Sequence, residues 1–342
     1  MSMKTSSIKK IDIHTHILPP DIPKFKDKFG YGGFISLEHD HQNCCANMLR
    51  DDGFFFRKID SNCWSPEKRI EECKEAGVHI QVLSTVPVMF SYWTKPQDGL
   101  YISQFLNDHI AKVCSQWPQH FWGLGTLPMQ DTDLSIKELE RCVKDLGLKG
   151  VQIGSNINNM NLNHPNLFPI FEAAQDLKAS IFVHPWEMMG KENMQDYWLP
   201  WLVGMPAETS RSICSMIFGG IFEKLPKLKV AFAHGGGSFP GTIGRIEHGF
   251  NVRPDLCAKD NNVNPRKYLK SIYLDSLVHD KDALQYIVSL FGAERILLGS
   301  DYPFPLGEHS PGKLIESIDE FTIEQKQQLL FKTAFDWLGI EI

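Results

Sequence analysis

The sequence predicts an α/β protein built as one (β/α)8 TIM-like barrel, and three observations carry that expectation. Eight short runs rich in Val, Ile, Leu and Phe end at Gly, Pro, Ser or His; a helical pattern follows each run; and the runs are apolar almost continuously rather than in alternation. Strands of that kind belong to parallel sheets covered on both faces, and eight strand-helix units suffice to close a barrel. The 342 residues accommodate such a barrel, commonly about 250 residues or more, together with insertions. The alternative is an open doubly wound sheet, although no GxGxxG follows the first strand.

The first strand is KKIDIHTHIL (9–18). Residues 19–63 delay its helix and contain YGGF, a turn with His39 and His41, and FFFRKI, so they read as a small insertion with one or two short strands. The helix then starts at Ser65-Pro66-Glu67, where Ser caps and Pro takes the first helical position, and stops at Gly77. VHIQVLSTV (78–86) leads to a helix over 98–117, FWGLGTLP (121–128) to 131–146, and KGVQIGS (149–155) to 164–177. ASIFVHP (179–185) leads to 206–219, KVAFAHGG (229–236) to 238–250, SIYLDS (271–276) to 280–291, and RILLGSDYP (295–303) to 322–338. A long loop dense in Met and Trp, residues 186–205, separates the fifth strand from its helix. In a barrel this loop and the 19–63 insertion lie above the C-terminal mouth, where active sites sit. The whole chain, 1–342, is read as one domain.

Thirty-five Lys and Arg face 41 Asp and Glu, for a net charge of −6, and neither sign gathers into a block. That balance argues against a binder of nucleic-acid backbones. No apolar run approaches the ~20 residues needed to span a bilayer, and MSMKTSSIKKID lacks the apolar stretch of a signal peptide. A soluble cytoplasmic enzyme is expected. The eight cysteines are scattered with no CxxC pair, which reads as reduced thiols.

His14 and His16 stand two apart at the end of the first strand, so both imidazoles face the same side. Alone, such a pair is equally a couple of hydrogen-bonded core histidines. His184 ends the fifth strand in IFVHP, His234 the sixth in AFAHGGG, and Asp301 the eighth in LLGSDYP. Four histidines and a carboxylate around one mouth can supply three or four metal ligands and leave a position for water. HGGG at 234–237 also occurs in esterase oxyanion loops, but no GxSxG accompanies it. His39, His41, His164, His248, His279 and His309 lie away from strand ends and read as surface or capping residues. Asp12 is left as either a carboxylate orienting a ligand histidine or a buried hydrogen-bonded group.

The set of HxH on strand one, His on strands five and six and Asp on strand eight resembles the amidohydrolase superfamily of metal-dependent hydrolases. VQIGS, which has no lysine at the strand-four end, is similar to its mononuclear branch. The resemblance implies zinc (Zn2+), with His14, His16, His184 and Asp301 as ligands and His234 unligated, placed to take a proton from a zinc-bound water. Longer blocks, STVPVMFSYW (84–93), FVHPWEMM (182–189), WLPWLVGMPAET (198–209), AHGGGSF (233–239) and GSDYPFPLGE (299–308), resemble a decarboxylase family within that superfamily. Its members remove CO2, without O2 or pyridoxal phosphate, from an acyclic amino-carboxymuconate semialdehyde of kynurenine and tryptophan catabolism, which limits quinolinate formation. The alternative is a hydrolase or hydratase of the same superfamily acting on another small carboxylate.

The same resemblance implies substrate-binding roles. Arg57, on residues alone an exposed strand arginine, corresponds to a substrate-binding arginine that would grip a carboxylate of the dicarboxylate substrate. Arg245, on residues alone a solvated helix position, corresponds to an arginine that reaches the neighbouring active site, which implies a homodimer. Trp201, Met188 and Phe304 correspond to pocket walls, although core or interface packing is open for each. One departure is Phe54, three residues before Arg57, where related sequences often carry lysine.

Overall fold

The computed structural model describes residues 9–341. Part of the N-terminal stretch read above for a signal peptide, residues 1–8, lies outside the described residues. Eight parallel strands follow one another with helices between them, as the apolar runs predict. β1 (Ile11–Ile17) is followed by three strands of an antiparallel sheet, β2 (Ile35–Asp40), β3 (Cys45–Arg50) and β4 (Phe55–Asp60). Next come β5 (Ile80–Thr85), β6 (Phe121–Gly123), β7 (Gly150–Gly154) and a two-strand hairpin, β8 (Asn156–Ile157) with β9 (Met160–Asn161). β10 (Ser180–His184), β11 (Lys229–Phe232), β12 (Ile272–Asp275) and β13 (Ile296–Leu297) complete the set.

The parallel strands form two arcs, β1-β5-β6 and β7-β10-β11-β12-β13. Single parallel bridges, Gly125 with Val151 and Thr15 with Tyr302, join the arcs at both seams. Backbone hydrogen bonds reinforce them: Gln152 N to Gly125 O (2.8 Å) at one, Ile13 N to Leu298 O (2.9 Å) and His16 N to Tyr302 O (2.8 Å) at the other. The ladder is thus interrupted twice, and one continuous closed sheet is not formed. Two predicted strands shorten for physical reasons. Past Gly123 the third runs beneath helices so close that a Cβ on Gly125 would meet Cys142 Sγ at 2.6 Å. The eighth ends at Leu297 because Leu298 N turns outward to Leu329 O (2.9 Å).

The helix Pro66–Ala76 has the predicted ends: the Ser65 side chain accepts from Lys68 N, and Gly77 adopts φ 70°. Residues 19–63 carry three strands rather than one or two. β2, ISLEHD, and β3, CANMLR, alternate too little to be recognised singly, yet the sheet they form with β4 buries Ile35, Ala46, Met48 and Ile59, with Phe34 just before β2, against Val86, Met89, Ile102 and Leu106. All eight cysteines are free.

Arg69, in the middle of the Pro66–Ala76 helix, is fully buried. Its Nη1 donates to His16 O (2.7 Å) and Asn62 O (3.1 Å), its Nε to Gln81 Oε1 (3.0 Å), and its guanidinium lies 4.6 Å from the Tyr302 ring centre. It thereby ties the end of β1 to both neighbours. Arg69→Ala is expected to cost about 3–5 kcal/mol, the sum of a core cavity and orphaned buried acceptors. Urea unfolding measures this, and a loss under about 1 kcal/mol, typical of surface changes, contradicts the role.

Candidate active site

The site residues sit at strand ends because four of the strands deliver side chains to the mouth as they stop. β1 contributes His14 and His16, and β10 contributes His184. His234 and Asp301 come just after β11 and β13, each with left-handed backbone, φ 57° and 58°. Such a conformation is uncommon for non-glycine residues and persists where surrounding structure imposes it. Ring centres of His14 lie 5.1 Å from His16 and 5.2 Å from both His184 and His234. One donor atom from each of His14, His184, His234 and Asp301 lies within 4.8 Å of the others. Asp301 Oδ1 also approaches Nε2 of His16 at 3.0 Å and of His14 at 3.4 Å. All five predicted residues therefore meet.

Three of the histidines are fixed from behind. His14 Nδ1 meets Asp275 Oδ2 at 2.7 Å, His16 Nδ1 meets Thr85 O at 3.0 Å, and His184 Nδ1 meets Pro185 O at 3.0 Å. Acceptors at Nδ1 place the proton there and leave a lone pair on Nε2. Those three Nε2 atoms are buried without a hydrogen-bond partner, an arrangement that buried polar atoms adopt rarely unless a ligand satisfies them. His234 differs: its unpartnered atom is Nδ1, and Nε2 stands 3.9 Å from Asp301 Oδ2. Three imidazoles and a carboxylate suit a borderline-soft divalent cation.

Electrostatics agree with that donor set at His16, His184 and Asp301, while His14 holds a proton until a cation replaces it. Burial opposes charge on His14, but the carboxylates of Asp275 and Asp301 outweigh it and hold its pKa at about 10. Burial lowers His16, and burial with the neighbouring imidazoles takes His184 well below the ordinary histidine range. Burial also works against ionised Asp301, yet contacts from His14, His16 and His234 hold it well below the usual carboxylate range. Ligation needs neutral imidazoles and an ionised carboxylate, and a cation would displace the proton on His14.

Asp275, at the end of β12, was not singled out in the sequence. Besides His14 Nδ1, its carboxylate accepts from His234 N (2.9 Å) and Gly235 N (2.7 Å). The available signal was its position, the last residue of an apolar strand like His184. Asp12 resolves toward a structural role: its carboxylate accepts from His14 N (3.2 Å) and from the backbone (3.1 Å) and hydroxyl of Ser300, and it does not touch an imidazole. His164 caps the turn Pro165–Leu167 by accepting from Asn166 N.

Beside the histidines opens a pocket of about 260 Å3 whose lining includes His16, His184, Asp301, Arg57, Trp201, Met188 and Phe304. Arg57, on β4, lies 4.6 Å from the Phe304 ring centre and 5.9 Å from that of Trp201. Burial lowers its pKa, and among the described residues no carboxylate pairs with it. A half-buried guanidinium on aromatic walls is suited to an anion brought by a ligand. Trp186 and Lys191 also line this pocket and were missed within the long loop. Buried Glu208 holds that loop, accepting from Met189 N (3.1 Å) and from Asn156 Nδ2 (2.9 Å), which also donates to Trp186 O (2.9 Å). Arg245, on the helix Phe239–Val252, is exposed and absent from the pocket of its own chain.

The chain belongs to the amidohydrolase family, whose sequence profile matches residues 11–340. It is 62% identical over 332 residues to 2-amino-3-carboxymuconate-6-semialdehyde decarboxylase of Dictyostelium discoideum, covering 97% of this chain and 92% of that protein. Identity to the Caenorhabditis elegans protein of the same name is 39%, over 98% of this chain and 96% of the relative. Among solved structures, 5-carboxyvanillate decarboxylase from Novosphingobium aromaticivorans, determined with bound manganese, superposes with a TM-score of 0.81 at 20% identity, over 99% of both chains.

Proposed function

We infer that the protein is a metal-dependent, non-oxidative decarboxylase that converts 2-amino-3-carboxymuconate 6-semialdehyde to 2-aminomuconate 6-semialdehyde. The observation that carries this reading is the group of three bare Nε2 atoms around Asp301, set beside an unpaired arginine in a pocket with aromatic walls. The identity to named decarboxylases supports the particular substrate.

We propose that His14, His16, His184 and Asp301 hold zinc, for which the nitrogen and carboxylate donors are suited. Bound there, the cation would supply Lewis acidity, making water a stronger acid at neutral pH and stabilising negative charge on the substrate. Arg57 holds a carboxylate, and the rings of Trp201 and Phe304 keep water from the conjugated chain. His234 takes a proton from water and passes it to the carbon that bears the departing carboxylate. The C–C bond then breaks, its electron pair restores the conjugated double bond, and CO2 leaves. The hydroxide that the water becomes is reprotonated from solvent, so one proton is consumed per CO2 released and atoms and charge balance.

We take the two bridged arcs as one TIM-like barrel in a single domain, with residues 19–63 over its mouth. Free cysteines are compatible with the cytoplasm, and a place in kynurenine catabolism, limiting quinolinate, follows from the proposed substrate. Exposed Arg245 leaves room for a homodimer in which Arg245 of the partner subunit completes the pocket.

The test is turnover of enzymatically generated semialdehyde by protein of known metal content. The expected result is CO2 release with loss of the muconate chromophore, abolished by chelator and restored by zinc. Addition of water without CO2 would instead support a hydratase or hydrolase.

A further inference from the structure

We propose that the end of the fold opposite the histidines carries a second binding site, for a small anion with two or more adjacent phosphate groups. The inference is independent of the decarboxylase reading. β10, β11, β12 and β13 are parallel neighbours, so their ends, toward the histidines and Asp301, share one side and their starts share the other. Each start brings a cation: Lys178 stands two residues before β10, Lys229 opens β11, Lys270 stands two residues before β12, and Arg295 immediately precedes β13. Lys227, just ahead of β11, adds a fifth. Together they line a cleft of about 730 Å3 in which Asp176 and Asp336 are the carboxylates. That volume falls in the range of small-molecule sites, and a cleft with an excess of one sign concentrates potential of that sign.

Two of the cations are neutralised from within, Lys229 by Asp336 (3.7 Å) and Lys270 by Glu294 (3.3 Å). Asp336 is further committed to Tyr273, whose hydroxyl donates to its carboxylate. Lys178, Lys227 and Arg295 form no ion pair among the described residues. Arg295 is the anchor: its guanidinium lies 4.7 Å from the Tyr273 ring centre, and its Nε is buried without a hydrogen-bond partner. A buried N–H of that kind is rare unless a ligand accepts from it. A guanidinium fork matches two oxygens of one phosphate, and the two lysines supply point charges for the next. Both lysines are placed by their backbone, Lys178 by a left-handed conformation (φ 55°) and Lys227 by donation from its N–H to Gln175 Oε1 (2.9 Å). Unpaired cations at one end repel one another at a cost in stability. An anion between them removes that cost.

Titration calorimetry of the metal-loaded protein with inorganic pyrophosphate and with ATP, at about 0.15 M salt, tests the site. One equivalent of either is expected to bind with a Kd below about 1 mM. Equal affinities would mean that the phosphates alone are recognised, and tighter binding of ATP that the site takes a nucleotide. Lys178→Gln combined with Lys227→Gln, both exposed positions, is expected to weaken binding about 10- to 100-fold, the worth of lost charge-assisted hydrogen bonds. Arg295→Gln should do at least as much, and the lysine pair decides the matter if that variant fails to fold. Arg57→Gln, which alters the pocket beside the histidines, should leave Kd within about twofold, because the two sites are far apart and share no partner. Binding of neither anion overturns the inference. So does binding that survives the lysine and arginine changes, or that is lost in Arg57→Gln, since the anion then sits elsewhere.

Discussion

Replacing His234 with asparagine is expected to lower kcat for CO2 release by about 10²–10⁴, the range for loss of a general acid-base group, while the bound metal stays near the wild-type level. His184→Ala is expected to lose both. The difference follows from how each ring is held. His14, His16 and His184 have Nδ1 against a fixed acceptor and Nε2 bare toward the centre, the state a metal ligand needs. His234 has no acceptor on Nδ1, and its side chain is 16% exposed where those of His14 and His16 are 0%. A ring without a fixed tautomer can take a proton and give it back. Its backbone is nonetheless rigidly placed, because Asp275 accepts from His234 N (2.9 Å). Since a donor atom of His234 also lies within the 4.8 Å cluster, metal analysis of the two variants is decisive. Equal metal loss in both would make His234 a ligand and remove the proposed proton carrier.

The strand-end histidines and Asp301 were legible because a strand fixes where its end points, and four such ends converge whatever the connecting helices do. The order of strands was legible for the same reason. The seams were not, since the break after Gly123 depends on how closely Ile110 and Cys142 approach bare glycine backbone, and that contact is tertiary. Asp275 escaped because it acts through His14, and a lone Asp in SIYLDS carries no pattern of its own. Lys191 and Trp186 escaped because they lie in a loop held by Glu208, a buried residue on the helix that follows the loop, and that contact is tertiary. Arg69 shows the limit of periodicity: a charged side chain on an amphipathic helix reads as solvated, yet it is fully buried where backbone carbonyls of His16 and Asn62 meet it.

Asp275→Asn is expected to weaken metal binding about 10- to 100-fold, the usual effect of removing a carboxylate behind a ligand histidine, with CO2 release falling in step at limiting metal. Asparagine keeps the size and one acceptor oxygen, so the packing of Gly299, whose Cβ would lie 2.7 Å from Asp275 Cβ, survives. What changes is the count of acceptors. The carboxylate receives His14 Nδ1 on Oδ2 together with His234 N, and Gly235 N and Leu277 N on Oδ1, all from buried or partly buried donors. In the amide one of those oxygens becomes an NH2, which faces donors with a donor and leaves a buried group unsatisfied at a cost of about 1–3 kcal/mol. His14 then loses the partner that places its proton on Nδ1, and its Nε2 lone pair is no longer assured. Competition with a chelator of known affinity measures the change. Should the variant bind metal as tightly as wild type, His14 must be oriented by packing against Phe182, 4.8 Å away, rather than by the carboxylate.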